Sequence, residues 1–124
     1  VAYRSQNIGK HSVLIYSDSA TILSCEEDAI ALISTAWEHE ATWLALPVQA
    51  IHDDFFRLET RLLGNITQKL VNYGLKLAII GDISHWQMRS NALRSLVYET
   101  NRGSAIWFVD DLQALEHKLT AGAH

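Results

Sequence analysis

The stretch from Gln68 to Ser84, QKLVNYGLKLAIIGDIS, closes an amphipathic helix, stops it, runs through a buried strand and opens a polar loop. Leu70, Val71 and Tyr73 finish an apolar helix face, and Gly74 suits the left-handed position that ends helices. Leu77 to Ile80 is an apolar run of strand length ahead of Gly81-Asp82. A helix delivered directly into a strand without polar alternation is the grammar of α/β folds, where crossover helices join parallel strands and cover them.

The remaining segments extend that grammar in both directions. Val1 to Asn7, a turn at Gly9-Lys10 and His11 to Ser17 read as an N-terminal hairpin. Ser24 to Glu27 has the S-x-x-E form of a capping box, and Ala29, Ile30, Ile33, Ala36 and Trp37 give the helix behind it one apolar face. Thr42 to Val48 is the next strand, with Pro47 marking an edge position or the exit into a loop. The longest helix is expected from about Leu58 to Tyr73, with Leu58, Leu62, Ile66, Leu70 and Tyr73 inward. After the strand Lys76 to Gly81 comes the loop DISHWQM, then a helix with Leu93, Leu96, Val97 and Thr100 inward. Asn101 to Gly103 reads as a turn, Ala105 to Val109 as a strand, and Asp110 as the cap of a last helix carrying Leu112, Leu115 and Leu119. The order β-β-α-β-α-β-α-β-α predicts a single α/β domain over residues 1–124, with a mostly parallel or mixed sheet of about five strands and one core.

A formal charge of −4 without Lys/Arg runs argues against nucleic-acid binding, which needs a basic face to displace phosphate counterions. No apolar run approaches the ~20 residues required to span a bilayer, so no membrane association is expected. The lone Cys25 cannot close an intramolecular disulfide, and a small packed thiol in a cytoplasmic protein is the natural reading.

Ligands of open α/β sheets usually sit at the carboxyl ends of the strands. Here those ends carry Ser17-Asp18-Ser19, Val48 to Phe56, Gly81 to Gln87 and Asp110-Asp111. The Gly81 loop is richest in chemistry, since Asp82, Ser84, His85 and Trp86 offer an acid, a hydroxyl, an imidazole and an aromatic platform. Turn chemistry explains much of it: Gly81-Asp82 makes the turn, Ser84 caps the next segment, and Trp86 covers the core edge. Asp82, Ser84 and His85 stand too close in sequence to form a catalytic relay unaided, and G-x-S-x-G, G-x-G-x-x-G and G-x-x-x-x-G-K-[ST] are absent. His52-Asp53-Asp54 is the one compact cluster resembling metal ligands and reads more simply as solvated loop. No catalytic residue, metal or cofactor is therefore assigned. On the expected long helix, Arg61, Asn65, Gln68 and Asn72 form a polar row of amides and an arginine, which suits recognition of a partner better than lysines and glutamates would.

With those residues in hand, FFRLETRLLGNITQKLVNYGLKLAIIGDIS followed by LVYETNRG resembles the bacterial family of domains of unknown function numbered 4180. Phe55-Phe56, Leu58, Thr60, Gln68-Lys69, Asn72-Tyr73, Lys76 to Asp82 and Glu99-x-Asn101-Arg102-Gly103 carry the resemblance, over nearly the whole chain. In that family the middle helix typically begins approximately T-G-L-A-G-E; here Thr60 is followed by RLLGN, and Asn65 takes the glutamate's place. The resemblance implies domain boundaries and no transferable activity. The element order also resembles the anti-sigma-factor-antagonist (STAS) domains, which implies a phosphorylatable residue at the start of the second helix, near Thr60, although the D-S-[ST]-G type motif is missing.

These readings lead to a non-enzymatic regulatory or protein-binding module that uses the row Arg61, Asn65, Gln68 and Asn72 with the Gly81 loop. The alternative is a site for a small polar ligand or anion around Asp82, Ser84, His85 and Trp86. Four tryptophans leave a homodimer open as well.

Overall fold

The computed structural model describes residues 3–17 and 21–121. Strands β1 (Tyr3–Ile8) and β2 (His11–Tyr16) form the expected hairpin, and α1 (Glu26–Glu38), β3 (Trp43–Pro47), α2 (Leu62–Asn72) and β4 (Lys76–Ile80) come next. A short helix α3 (Ser84–Gln87), α4 (Asn91–Arg102), β5 (Ile106–Val109) and α5 (Leu112–Ala121) complete the chain. The five strands lie in one mixed sheet in sequence order, β1 antiparallel to β2 and all other pairs parallel. Each parallel connection steps to the next strand in the same direction. Right-handed crossovers then put α1, α2 and α4 on one face. Leu32, Ile33, Leu63, Ile66, Leu70, Leu93 and Val97 accordingly share a core with Leu14, Leu44, Leu77 and Ile106.

Strand register sorts the opposite face. Because side chains alternate across a sheet, Val13, Trp43, Ala45 and Ala78 point away from that core into a second one, covered by Leu115 and Leu119 of α5. Two cores therefore stand where composition suggested one. The paired alanines Ala45 and Ala78 keep the sheet's centre low, and the rings of Trp43 and Trp107 meet beside them at 4.4 Å. Lys118 of α5 lies 4.7 Å over the Trp107 ring and also donates to the Asn101 carbonyl at 2.9 Å, tying the last helix to the sheet edge.

Several local expectations are corrected. Pro47 closes β3, the central strand, so it marks an exit and not an edge. The α1 cap is not a Ser24–Glu27 box: Cys25 is the N-cap, and Asp28 accepts from both the N–H (2.8 Å) and the hydroxyl (2.9 Å) of Ser24. Partial burial alone would raise the Asp28 pKa, but these bonds and those from Cys25 outweigh it and hold the carboxyl below its ordinary value. Asp111 accepts from the Ala114 N–H at 2.7 Å, so it caps α5 in place of Asp110. Asn101 and Arg102 are the last residues of α4 instead of a turn, and the loop after Gly81 contains α3. Of the Ser17-Asp18-Ser19 strand end, Asp18 and Ser19 lie outside the described residues.

The largest correction concerns the helix expected over Leu58 to Tyr73. Leu58–Thr60 is a separate 3₁₀ turn, and Arg61 at φ +62° breaks the chain before α2 starts at Leu62. At eleven residues α2 is shorter than α1 with thirteen. Its far end behaves as read: Gly74 has φ +76°, and the Leu75 N–H reaches the Leu70 carbonyl (2.9 Å) while the Gly74 N–H reaches that of Val71 (3.0 Å). That pair of bonds is a Schellman termination, sealed by the buried side chains of Leu70 and Leu75. No helix among the described residues is long and apolar enough to cross a membrane.

Candidate functional site

The strand order never reverses, so this sheet lacks the crevice that a change of winding direction opens in doubly wound folds. Its carboxyl end is built over by connections instead. After β3 the chain makes three 3₁₀ turns, which bury Ala50, Phe55 and Phe56; after β4 it passes through Gly81 into α3. Asp82 Oδ1 accepts from the Ser84 N–H at 2.9 Å, so the acid makes the turn. Ser84 gives α3 no side-chain cap. The hydroxyl and N–H of Ser84 hold the exposed Asp82 carboxyl below its ordinary pKa. Buried Ile83 pins the loop, and Trp86 stacks on Phe56 at 4.3 Å and 20°.

That stack floors a cleft of about 310 Å³ between the β3–α2 connection and the α3–α4 turn. His85 and Trp86 line it, whereas Asp82 and Ser84 do not. Its charged walls are Asp53, Arg57, Glu59 and Arg89. Asp53, Arg57 and Glu59 share the β3–α2 connection and Arg89 follows α3; of the four, only Asp53 stands out in the sequence, within the His52-Asp53-Asp54 cluster, because the others match no recognised motif. Arg57 is steadied by Asp54 at 3.3 Å, and the Asp54 N–H donates to His52 Nδ1 at 3.0 Å. His52 thus caps a 3₁₀ turn. No three His, Cys, Asp or Glu side chains among the described residues are grouped to hold a metal ion.

The polar row lies elsewhere. At 100° per residue, Asn65, Gln68 and Asn72 stand opposite the buried Leu63, Ile66 and Leu70 of α2, Arg61 precedes the helix in a left-handed conformation, and all four are exposed. Asn65 Nδ2 donates to Glu26 Oε2 of α1 at 3.4 Å, and Gln68 Nε2 donates to Asn72 Oδ1 at 2.9 Å. The row does not reach the cleft beside His85 and Trp86.

Beside the row is an aromatic pair the sequence placed inside. Trp37 and Tyr73 meet edge-to-face at 5.4 Å and remain 57% and 51% exposed. With Ile30, 54% exposed, and the stem of Lys69 they line a groove of about 230 Å³ between α1 and α2. Ile30 and Trp37 sit roughly 90° from the centre of the inner face formed by Ala29, Leu32, Ile33 and Ala36. Tyr73 comes just after the last turn of α2 and is likewise not core. Val71, 42% exposed, extends the apolar surface on the far side of the amides.

Thr60 ties the 3₁₀ turns together. Its hydroxyl is shared between the carbonyls of Asp54 (2.7 Å) and Arg57 (2.8 Å) and accepts from the Leu62 N–H at 3.2 Å. An open hollow of about 450 Å³ beside it is lined by Glu26, Glu27, Asp54 and one cation, Lys69. A phosphate on Thr60 would meet those carboxylates, a setting that opposes it electrostatically. Cys25, half-buried, lines the same hollow.

No curated protein and no solved structure matches the chain. The family model described as Domain of unknown function (DUF4180) matches residues 8–119, from the end of β1 into α5, and the chain belongs to that family.

Proposed function

We propose that this domain is a protein-binding module whose docking surface is the outer side of α1 and α2. The carrying observation is the half-exposed Trp37–Tyr73 pair, continued by Ile30 along the same groove. Large apolar side chains gathered on a surface and rimmed by polar groups mark interaction sites, and tryptophan and tyrosine dominate binding hot spots. Gln68, Asn72 and Asn65 supply the rim. Their amides donate and accept, so they pair with backbone groups of a partner without the desolvation cost of full charges. Lys69 contributes a flexible aliphatic stem to the groove wall.

Trp37→Ala and Tyr73→Ala are each expected to weaken a captured partner by about 30-fold, the equivalent of ~2 kcal/mol, with the folded state little changed because neither ring is core. Gln68→Ala with Asn72→Ala acts in the same direction and more weakly. Calorimetric affinities for partners retained by the immobilised wild-type domain provide the check. Affinities unchanged across all these variants would refute the assignment.

A further inference from the structure

We propose that the cleft floored by Phe56 and Trp86 binds a small zwitterion of the amino-acid class. It shares no side chain with the α1–α2 groove, so this inference and the proposed function stand or fall separately.

The charges around the cleft select the ligand. Arg57 and Arg89 oppose Asp53 and Glu59, so the walls carry both signs and no net charge. An inorganic anion drawn to the arginines would meet two carboxylates, and a divalent cation drawn to the carboxylates would meet two guanidinium groups. Either mismatch is a built-in rejection. A molecule that is neutral in sum, with a carboxylate and an ammonium a few bonds apart, satisfies both halves. Arg57 is already oriented for that task by Asp54 at 3.3 Å, and a guanidinium presents the planar fork that a carboxylate accepts.

The floor supplies what a side chain needs. Half-buried Trp86 stacks near-parallel on the buried ring of Phe56, which holds the indole as a flat apolar surface at the cleft. Ser90 borders the cleft with its oxygen accepting from the Leu93 N–H at 3.1 Å, which holds the hydroxyl in place and leaves its hydrogen to donate. At about 310 Å³ the space is at the small end of ligand sites, suited to one amino acid and too small for a dinucleotide.

The test is an NMR titration of the full chain with each of the twenty L-amino acids at up to about 10 mM. It is repeated for the strongest binder with its N-acetyl and methyl-ester forms, and with sodium phosphate and magnesium chloride alone. The expected result is saturable shifts at amides of the cleft for at least one amino acid, with affinity reduced at least about tenfold when either charge of the ligand is removed. Arg89→Ala and Glu59→Gln, both at exposed positions, should each reduce it to a similar degree while leaving the spectrum folded. Silence from all twenty overturns the inference. So does equal binding by the charge-deleted forms, saturation of the cleft by phosphate or magnesium in place of an amino acid, or full affinity in both variants.

Discussion

Gly81→Ala is expected to destabilise the domain by roughly 3 to 5 kcal/mol, because the substitution meets two independent obstacles. The backbone at Gly81 has φ +136°, a conformation that side-chain-bearing residues rarely adopt. A Cβ there would also lie 2.8 Å from Val48 Cγ2 and 3.1 Å from Val48 Cβ, and the second of these atoms is fixed by the backbone at the exit of the central strand. Against a total stability of about 5–15 kcal/mol for a domain of this kind, such a loss leaves the protein near its unfolding threshold at ambient temperature. Adding Val48→Ala removes only the shorter of the two contacts, so partial recovery is expected. Urea midpoints of the wild type and the two variants measure both effects, and a loss under about 1 kcal/mol for Gly81→Ala would show that the exit loop adjusts freely.

Phe56→Ala carries a comparable expected cost of about 3–4 kcal/mol. The ring is buried, meets Phe55 edge-to-face at 5.4 Å and underlies Trp86. Removing it leaves a cavity beneath the β3–α2 connection and takes the floor from the cleft beside Arg57 and Arg89. Trp86→Ala removes the other half of the stack from a half-buried position and is expected to cost less. Denaturant unfolding monitored by far-ultraviolet circular dichroism separates the two, and equal losses would contradict the burial assigned to Phe56.

The fold is legible where a local pattern has one physical solution. Gly74 after an apolar helix face, and Leu77 to Ile80 after that, admit little besides a left-handed stop and a buried strand, and both are found. The break before α2 is hidden because Arg61 adopts a left-handed conformation that its residue type does not announce. In the T-G-L-A-G-E pattern that this segment resembles, that place belongs to glycine. The exposed groove escapes the sequence for a different reason. Ala29, Ile30, Ile33, Ala36 and Trp37 satisfy helical spacing together, yet the sheet behind α1 is met by a narrower arc centred on Ala29, Leu32, Ile33 and Ala36. Spacing alone cannot say which side of an apolar stripe is left over. Of the four residues picked from the Gly81 loop, His85 and Trp86 face the cleft because α3 turns them there, while Asp82 and Ser84 are spent on the turn. Arg57 joins them only in three dimensions, whereas Arg89 follows Trp86 by three residues in the turn after α3.

The measurement closest to the central claim is site-specific photo-crosslinking in cells. A benzophenone side chain is introduced at Ser34, on the rim of the Trp37–Tyr73 groove, and in a parallel variant at Gln113, exposed on α5. A discrete adduct with a protein partner from position 34, absent from position 113 and lost when Trp37→Ala is added, is the predicted result. An adduct from position 113 alone, or one from position 34 that survives Trp37→Ala, would contradict a docking surface on α1 and α2.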